Sequence, residues 1–159
     1  MPTKRRLRRF FPISGRDRLF LFAMNTIING DLELKWIGTD PREGDLYRLL
    51  KPLHVQFGGF VDITIPGHPD NGYVTNGASI PRWLWRVAGH PMAGQYQLAA
   101  TVHDYFCTEA KRQGNIGLRN IGDAVFRELL RVSDVPKWKC LAMYAAVRAA
   151  GWWSFRGVK

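Results

Sequence analysis

The chain predicts an α+β fold, with a small, mostly antiparallel N-terminal sheet followed by three or four helices packed as one domain. Three observations carry this. Strand-like alternation is confined to the first half, turn formers punctuate it, and helical spacing of apolar residues begins after Pro81 and continues almost to the end. No internal repeat, low-complexity tract or interdomain linker interrupts that order.

The first alternation runs over residues 31–37, where Leu32, Leu34 and Trp36 oppose Glu33 and Lys35, as in a half-buried strand. Residues 40–44, Asp-Pro-Arg-Glu-Gly, read as a turn. Strands are then expected over 47–50, 55–57 and 60–65, the last with Val61, Ile63 and Ile65 on one face and Asp62 and Thr64 on the other. Residues 66–72 are dense in turn formers, and 73–75 resume an extended path before the loop Asn76-Gly77-Ala78-Ser79. Beyond it the spacing predicts helices over 82–87, 94–110, 121–132 and 136–150, with Pro81 and Pro136 suited to first helical turns and residues 114–122 forming a loop.

A basic leader precedes this domain. Lys4, Arg5, Arg6, Arg8, Arg9, Arg16 and Arg18 stand against Asp17 alone and carry more than half of the formal charge of +10. Residues 1–23 are expected to be disordered, and 24–159 to form the domain. A basic arm can attract nucleic acid, an anionic membrane or a targeting receptor through long-range charge. The apolar run 19–23 is shorter than the roughly 7–15 residues of a signal core, and nothing approaches the ~18 apolar residues of a membrane span. Cys107 and Cys140 form no C-x-x-C pattern, so neither a disulfide framework nor a cysteine zinc site is expected, and a reducing compartment suits both.

Chemistry, if present, centres on the adjacent pair His103 and Asp104. Ala99, His103, Phe106 and Ala110 are spaced i, i+4, i+7 and i+11, which puts the imidazole on an apolar stripe, with Asp104 about 100° further round beside Cys107. Asp123, Phe126 and Leu130 share a face of the next helix, so two antiparallel helices can bring Asp123 to His103. A carboxylate on one imidazole nitrogen fixes the tautomer and leaves the other to take a proton from water, while a neighbouring Asp can hold a cation. The small and polar residues of 74–81 can bring backbone amides and carbonyls close to an ion or oxyanion. The same residues also suit a structural role: a histidine on an apolar face is commonly a satisfied core residue, Asp in a first helical turn complements the helix dipole, and Ser79 before Pro81 suits a capping turn.

The run Val74-Thr75-Asn76-Gly77-Ala78-Ser79-Ile80-Pro81, the helix segment Thr101-Val102-His103-Asp104-Tyr105-Phe106, the Asp123-Ala124-Val125-Phe126 helix, and Tyr144 to Arg148 with Gly151-Trp152-Trp153 together resemble one family. It is the phage and prophage family catalogued as domain of unknown function 1353, and the resemblance extends from about Trp36 to Trp153. It implies a tailed-bacteriophage or prophage origin and a place in the host cytoplasm or the virion. Asn76 stands where that family usually carries Asp. A more distant resemblance links the His-Asp helix and the following D-x-x-F helix to secreted phospholipase A2 enzymes. Carried over, it implies His103 as water-activating base, Asp123 as orienting carboxylate, and Asp104 with the Asn76, Gly77 and Ser79 loop as ligands of Ca2+. That family's disulfides and a clear G-x-G calcium loop are missing here.

Two functions follow from these readings. One is a calcium-assisted hydrolase of phospholipid or another ester. The other is a non-catalytic phage morphogenesis, tail-associated or host-interaction protein in which the same polar residues form a buried network, its partner another phage or host protein. An HD-type phosphohydrolase ranks below both, because that fold is all-helical and needs an earlier helical His, whereas His90 lies in a Gly-His-Pro loop. Nucleic-acid binding outside the leader ranks low too: Trp83, Trp85, Trp138, Trp152 and Trp153 sit at spacings that more often build a core. On the final helix, Trp138, Leu141, Met143, Tyr144, Val147 and Ala150 fit core packing or interfacial lipid contact, with core packing favoured and Lys137, Lys139 and Arg148 toward solvent.

Overall fold

A computed structural model of the chain describes residues 26–77 and 96–155, and within them the architecture is α+β as expected. The leader, the helix expected over 82–87, His90, Ala78 and Ser79 lie outside the described residues.

Two three-stranded antiparallel sheets come first. One has the order β1 (Thr26–Asn29), β4 (Leu53–Phe57), β5 (Val61–Ile65), and the other β2 (Leu34–Asp40), β3 (Gly44–Leu49), β6 (Val74–Thr75). Strand β1 pairs with β4 from Thr26↔Phe57 to Asn29↔His54 and is the one strand that alternation did not reveal, since Thr-Ile-Ile-Asn is too short to show a period. The β4–β5 connection is the three residues Gly58-Gly59-Phe60, left-handed at both glycines with φ of 61° and 75°, and the Phe60 amide returns to the Phe57 carbonyl at 3.3 Å. A Cβ on Gly58 would lie 2.5 Å from the Phe60 ring, so a side chain here would displace that exposed ring.

The β2–β3 hairpin closes where Asp40 Oδ1 accepts the amides of Arg42 and Glu43 at 2.7 and 2.9 Å, bonds that hold the Asp40 carboxyl below its usual pKa. A register shift between Trp36 and Gly38 interrupts the alternation. Trp36, expected on the buried face, is exposed at the last regular pair before that shift. On β5 the expected alternation holds: Val61 and Ile65 are buried, Ile63 half-buried, and Asp62 and Thr64 exposed.

Three helices follow among the described residues: α1 (Gln97–Gln113), α2 (Ile116–Val132) and α3 (Lys137–Phe155). Helix α1 ends on Gly114, left-handed at φ 60°, whose amide returns to the carbonyls of Ala110 and Lys111. The next residue, Asn115, caps α2 by accepting the Leu118 amide at 3.1 Å. The loop expected over 114–122 is thus only two residues long, and α2 begins five residues before its expected start. Gly122 and Gly151 lie inside helices where a side chain of another helix approaches closely. A Cβ on Gly122 would meet Phe106 Cβ at 2.5 Å, and one on Gly151 would lie 3.1 Å from the Arg119 guanidinium. Glycine costs a helix about 1 kcal/mol relative to alanine, and close packing of the helices offsets it.

Leu49, Leu53, Val55 and Ile65 from the sheets join Val102, Phe106, Val125, Phe126, Leu129, Leu130, Met143 and Val147 from the helices in one core. Trp138 and Leu141, expected inside, are exposed, while Met143 and Val147 of the same helix are buried. Helix α3 is apolar on two faces, and only one of them meets the core.

Candidate functional site

The predicted stripe of α1 is buried throughout, with Ala99, His103, Phe106 and Ala110 all shielded from solvent. Opposite it, α2 buries Asp123, Phe126 and Leu130. The short Gly114-Asn115 connection folds α2 back along α1, and the two faces meet with His103 Nε2 2.7 Å from Asp123 Oδ1. His103 is 0% exposed and Asp123 1%. The Phe126 ring lies 4.9 Å from the imidazole, centroid to centroid, and Cys107 Sγ stands 3.8 Å from Nδ1 and 3.7 Å from Nε2.

Asp123 has two further partners. Arg119, one turn earlier on α2 and itself buried, donates from Nε to Asp123 Oδ1 at 3.1 Å and from an Nη to the Val147 carbonyl of α3 at 2.9 Å. Arg148 of α3 donates to Asp123 Oδ2 at 3.3 Å and to Asn120 Oδ1 at 2.5 Å. One carboxylate therefore ties all three helices together. Burial opposes its charge, but the His103 hydrogen bond and the Arg119 guanidinium outweigh that, so the Asp123 pKa is lowered. As the ionised carboxylate can only accept, His103 Nε2 carries the proton and donates it. Burial likewise opposes the imidazolium, and the bonds to Asp123 and Cys107 outweigh it, raising the His103 pKa.

Asp104 faces a different neighbour. Its Oδ2 accepts from Thr75 Oγ1 at 2.8 Å and from the Tyr73 hydroxyl at 3.3 Å, and Thr75 Oγ1 in turn accepts the Gly77 amide at 3.2 Å. The Tyr73 hydroxyl also meets Thr108 Oγ1 at 3.2 Å, and its ring packs edge-on against Tyr105 at 5.2 Å. Burial and the Asp104 charge push the Tyr73 pKa far up, so the phenol stays a donor. The extended arm 73–77 is thereby pinned to α1, and Asn76 is pinned to the β2–β3 hairpin by a bond from Nδ2 to the Glu43 carbonyl at 3.4 Å.

Residues expected at one site thus fall into two sets. His103 and Asp123 converge in the seam between α1 and α2, whereas Asp104 and Gly77 belong to the contact between α1 and the sheet arm, and Asn76 turns to the β2–β3 hairpin. Calcium takes 6–8 oxygen ligands. Among the described residues no group of three His, Cys, Asp or Glu side chains is arranged to hold a metal ion, and Asp104 Oδ2 accepts from two hydroxyl donors. Arg119 and Arg148 were not expected here. The i, i+4 spacing of Arg119 and Asp123 was the available signal for the first, hidden by reading residues 114–122 as a loop. Arg148, expected in solvent, is half-exposed and bonded inward.

A family model described as protein of unknown function, DUF1353, matches residues 59–147. The matched stretch includes Thr75, His103, Asp104, Arg119 and Asp123, and ends at Val147, whose carbonyl Arg119 holds. An uncharacterized protein, y4jT, from Sinorhizobium fredii (strain NBRC 101917 / NGR234) is 40% identical over 80 residues, which is 50% of this chain. That alignment spans 22% of the relative's length. No solved structure matches the chain.

Proposed function

This chain belongs to the family described as protein of unknown function, DUF1353, and from that premise we propose that it is a non-catalytic binding module of a tailed phage or prophage, its helical layer locked by the His103–Asp123–Arg119 network. One observation carries the reading: His103 and Asp123 are sealed, at 0% and 1% exposure, with their polar atoms turned to protein partners. A general base must reach the proton it takes, directly or through one water, and an imidazole enclosed by Phe126, Cys107 and Asp123 has no such access. Buried polar groups that are satisfied hold a unique packing, which is what a binding module requires of its scaffold. The phage or prophage origin rests on the resemblance of the residue 74–81 loop and the His103-Asp104 helix to that group of proteins. A morphogenetic, tail-associated or host-interaction role follows from that origin.

The test pairs stability with activity. His103→Ala is expected to lower unfolding free energy by about 2–4 kcal/mol, as truncation of a large buried side chain with loss of its hydrogen bond does. Fatty-acid release from phospholipid, with or without calcium, is expected to be absent from the wild type. Calcium-dependent release that His103→Ala abolishes while its melting temperature holds would overturn the reading.

A metal-assisted hydrolase is the second reading, favoured by one observation. The Asp123 bond to Nε2 leaves Nδ1 as the second imidazole nitrogen, the arrangement in which a carboxylate orients a base. The same release assay decides between the two.

A further inference from the structure

The outer face of α3 is apolar, basic and turned to solvent. Trp138, Leu141, Ala145, Arg148 and Trp152 follow one another at intervals of three and four residues, so they form one stripe along the helix. Every one of them is exposed, Trp138 at 58% and Leu141 at 56%. The stripe is about 21 Å long at 1.5 Å per residue. Lys137 and Lys139 flank its first tryptophan, and the Lys139 ammonium lies 5.6 Å from the Trp138 ring centroid. Helix α3 carries no acidic residue. Its two lysines stand in the first turn, where the helix dipole disfavours positive charge, so the stability of the helix does not explain them.

We infer that this face docks on the surface of an anionic phospholipid membrane, with α3 lying in the interfacial plane and Trp138 and Leu141 entering the headgroup–acyl boundary. Charge selects this occupant. A second copy would bring the same basic face against this one, and the leader of the same chain, with seven basic residues against Asp17, would be repelled as well. An anionic partner is what remains. Leu141 and Ala145, midway along the stripe, offer a nucleic-acid base nothing to stack on, whereas tryptophans near both ends of an aliphatic stripe, with lysine beside them, are what a lipid interface takes up. No described helix is long and apolar enough to cross a membrane, so the contact is peripheral. This goes beyond the helical lock and uses none of its residues except Arg148, which bonds inward to Asp123.

The experiment is co-sedimentation of the full chain with vesicles of phosphatidylcholine alone and with vesicles that also contain phosphatidylglycerol. Binding is expected only to the anionic vesicles, weakening as salt rises. The double variant Trp138→Ala, Leu141→Ala keeps the basic leader and is expected to bind about tenfold or more weakly, the loss that follows from removing two interfacial apolar side chains. Its melting temperature should match the wild type, because both side chains lie outside the core. Lys137→Glu with Lys139→Glu should also weaken binding. Undiminished binding by the Trp138→Ala, Leu141→Ala variant would assign the attraction to the leader and overturn the inference. So would failure of the wild type to bind anionic vesicles, or a self-association in solution that the double variant abolishes.

Discussion

Two His–Asp pairs in this protein have nearly the same geometry and opposite surroundings. His54 Nε2 and Asp62 Oδ1 on β4 and β5 are 2.5 Å apart, and His103 Nε2 and Asp123 Oδ1 on α1 and α2 are 2.7 Å apart. The first pair lies on the open face of a sheet, its side chains 33% and 64% exposed, with Asn29 and Gln56 beside it. The second is sealed between helices with a buried arginine. A short distance between histidine and carboxylate therefore says little on its own. Water replaces the partner of an exposed group that loses one, and cannot do so for a buried group.

Four substitutions and conditions put that contrast at risk. The largest effect is expected from Asp123→Asn, which leaves Arg119 buried without its countercharge and should cost about 3–5 kcal/mol in denaturant unfolding. Gly122→Ala should cost about 1–3 kcal/mol, because the new Cβ collides with Phe106 and pushes α1 and α2 apart at the level of the sealed pair. A smaller effect should appear as a pH profile of the melting temperature. The lowered Asp123 pKa contributes stability above its ordinary value of 3.8 that is lost as pH falls through the folded value. The raised His103 pKa contributes stability that is full below its ordinary value of 6.5 and is lost as pH rises through the folded value. The sealed pair thus contributes most between 3.8 and 6.5, and His103→Gln should remove the decline on the alkaline side. The smallest effect is expected from Asp62→Asn, whose melting curve should overlay that of the wild type, since this carboxylate is held at the surface by Gln56 and His54. A clear loss there would dissolve the contrast.

The sealed pair was legible as a pairing before its surroundings were. Spacing placed His103 among Ala99, Phe106 and Ala110, and Asp123 with Phe126 and Leu130, and the seam formed on those faces. Strands expected over 47–50, 55–57 and 60–65 and helices expected over 94–110, 121–132 and 136–150 overlap the observed β3, β4, β5, α1, α2 and α3, because burial on one face imposes a period. What periodicity does not encode is close approach. Gly122 and Gly151 fit against Phe106 and Arg119, which lie far away in sequence. Trp36 is exposed where the regular register with β3 ends. Trp138 and Leu141 escaped because hydrophobicity alone cannot tell a face that meets the core from one that meets something else. Asp104, next to His103 in sequence, turned out to serve a second seam, the one with Thr75 and Tyr73, because a single residue step rotates a helical side chain by about 100°.

The central claim is that His103 and Asp123 stabilise the helical layer as one buried unit. A double-mutant cycle of His103→Ala and Asp123→Asn, read by chemical denaturation, tests it most directly. The expected result is a coupling energy above about 1 kcal/mol, with both single variants destabilised. Single variants as stable as the wild type or more so, with coupling near zero, would contradict it and return the pair to catalysis.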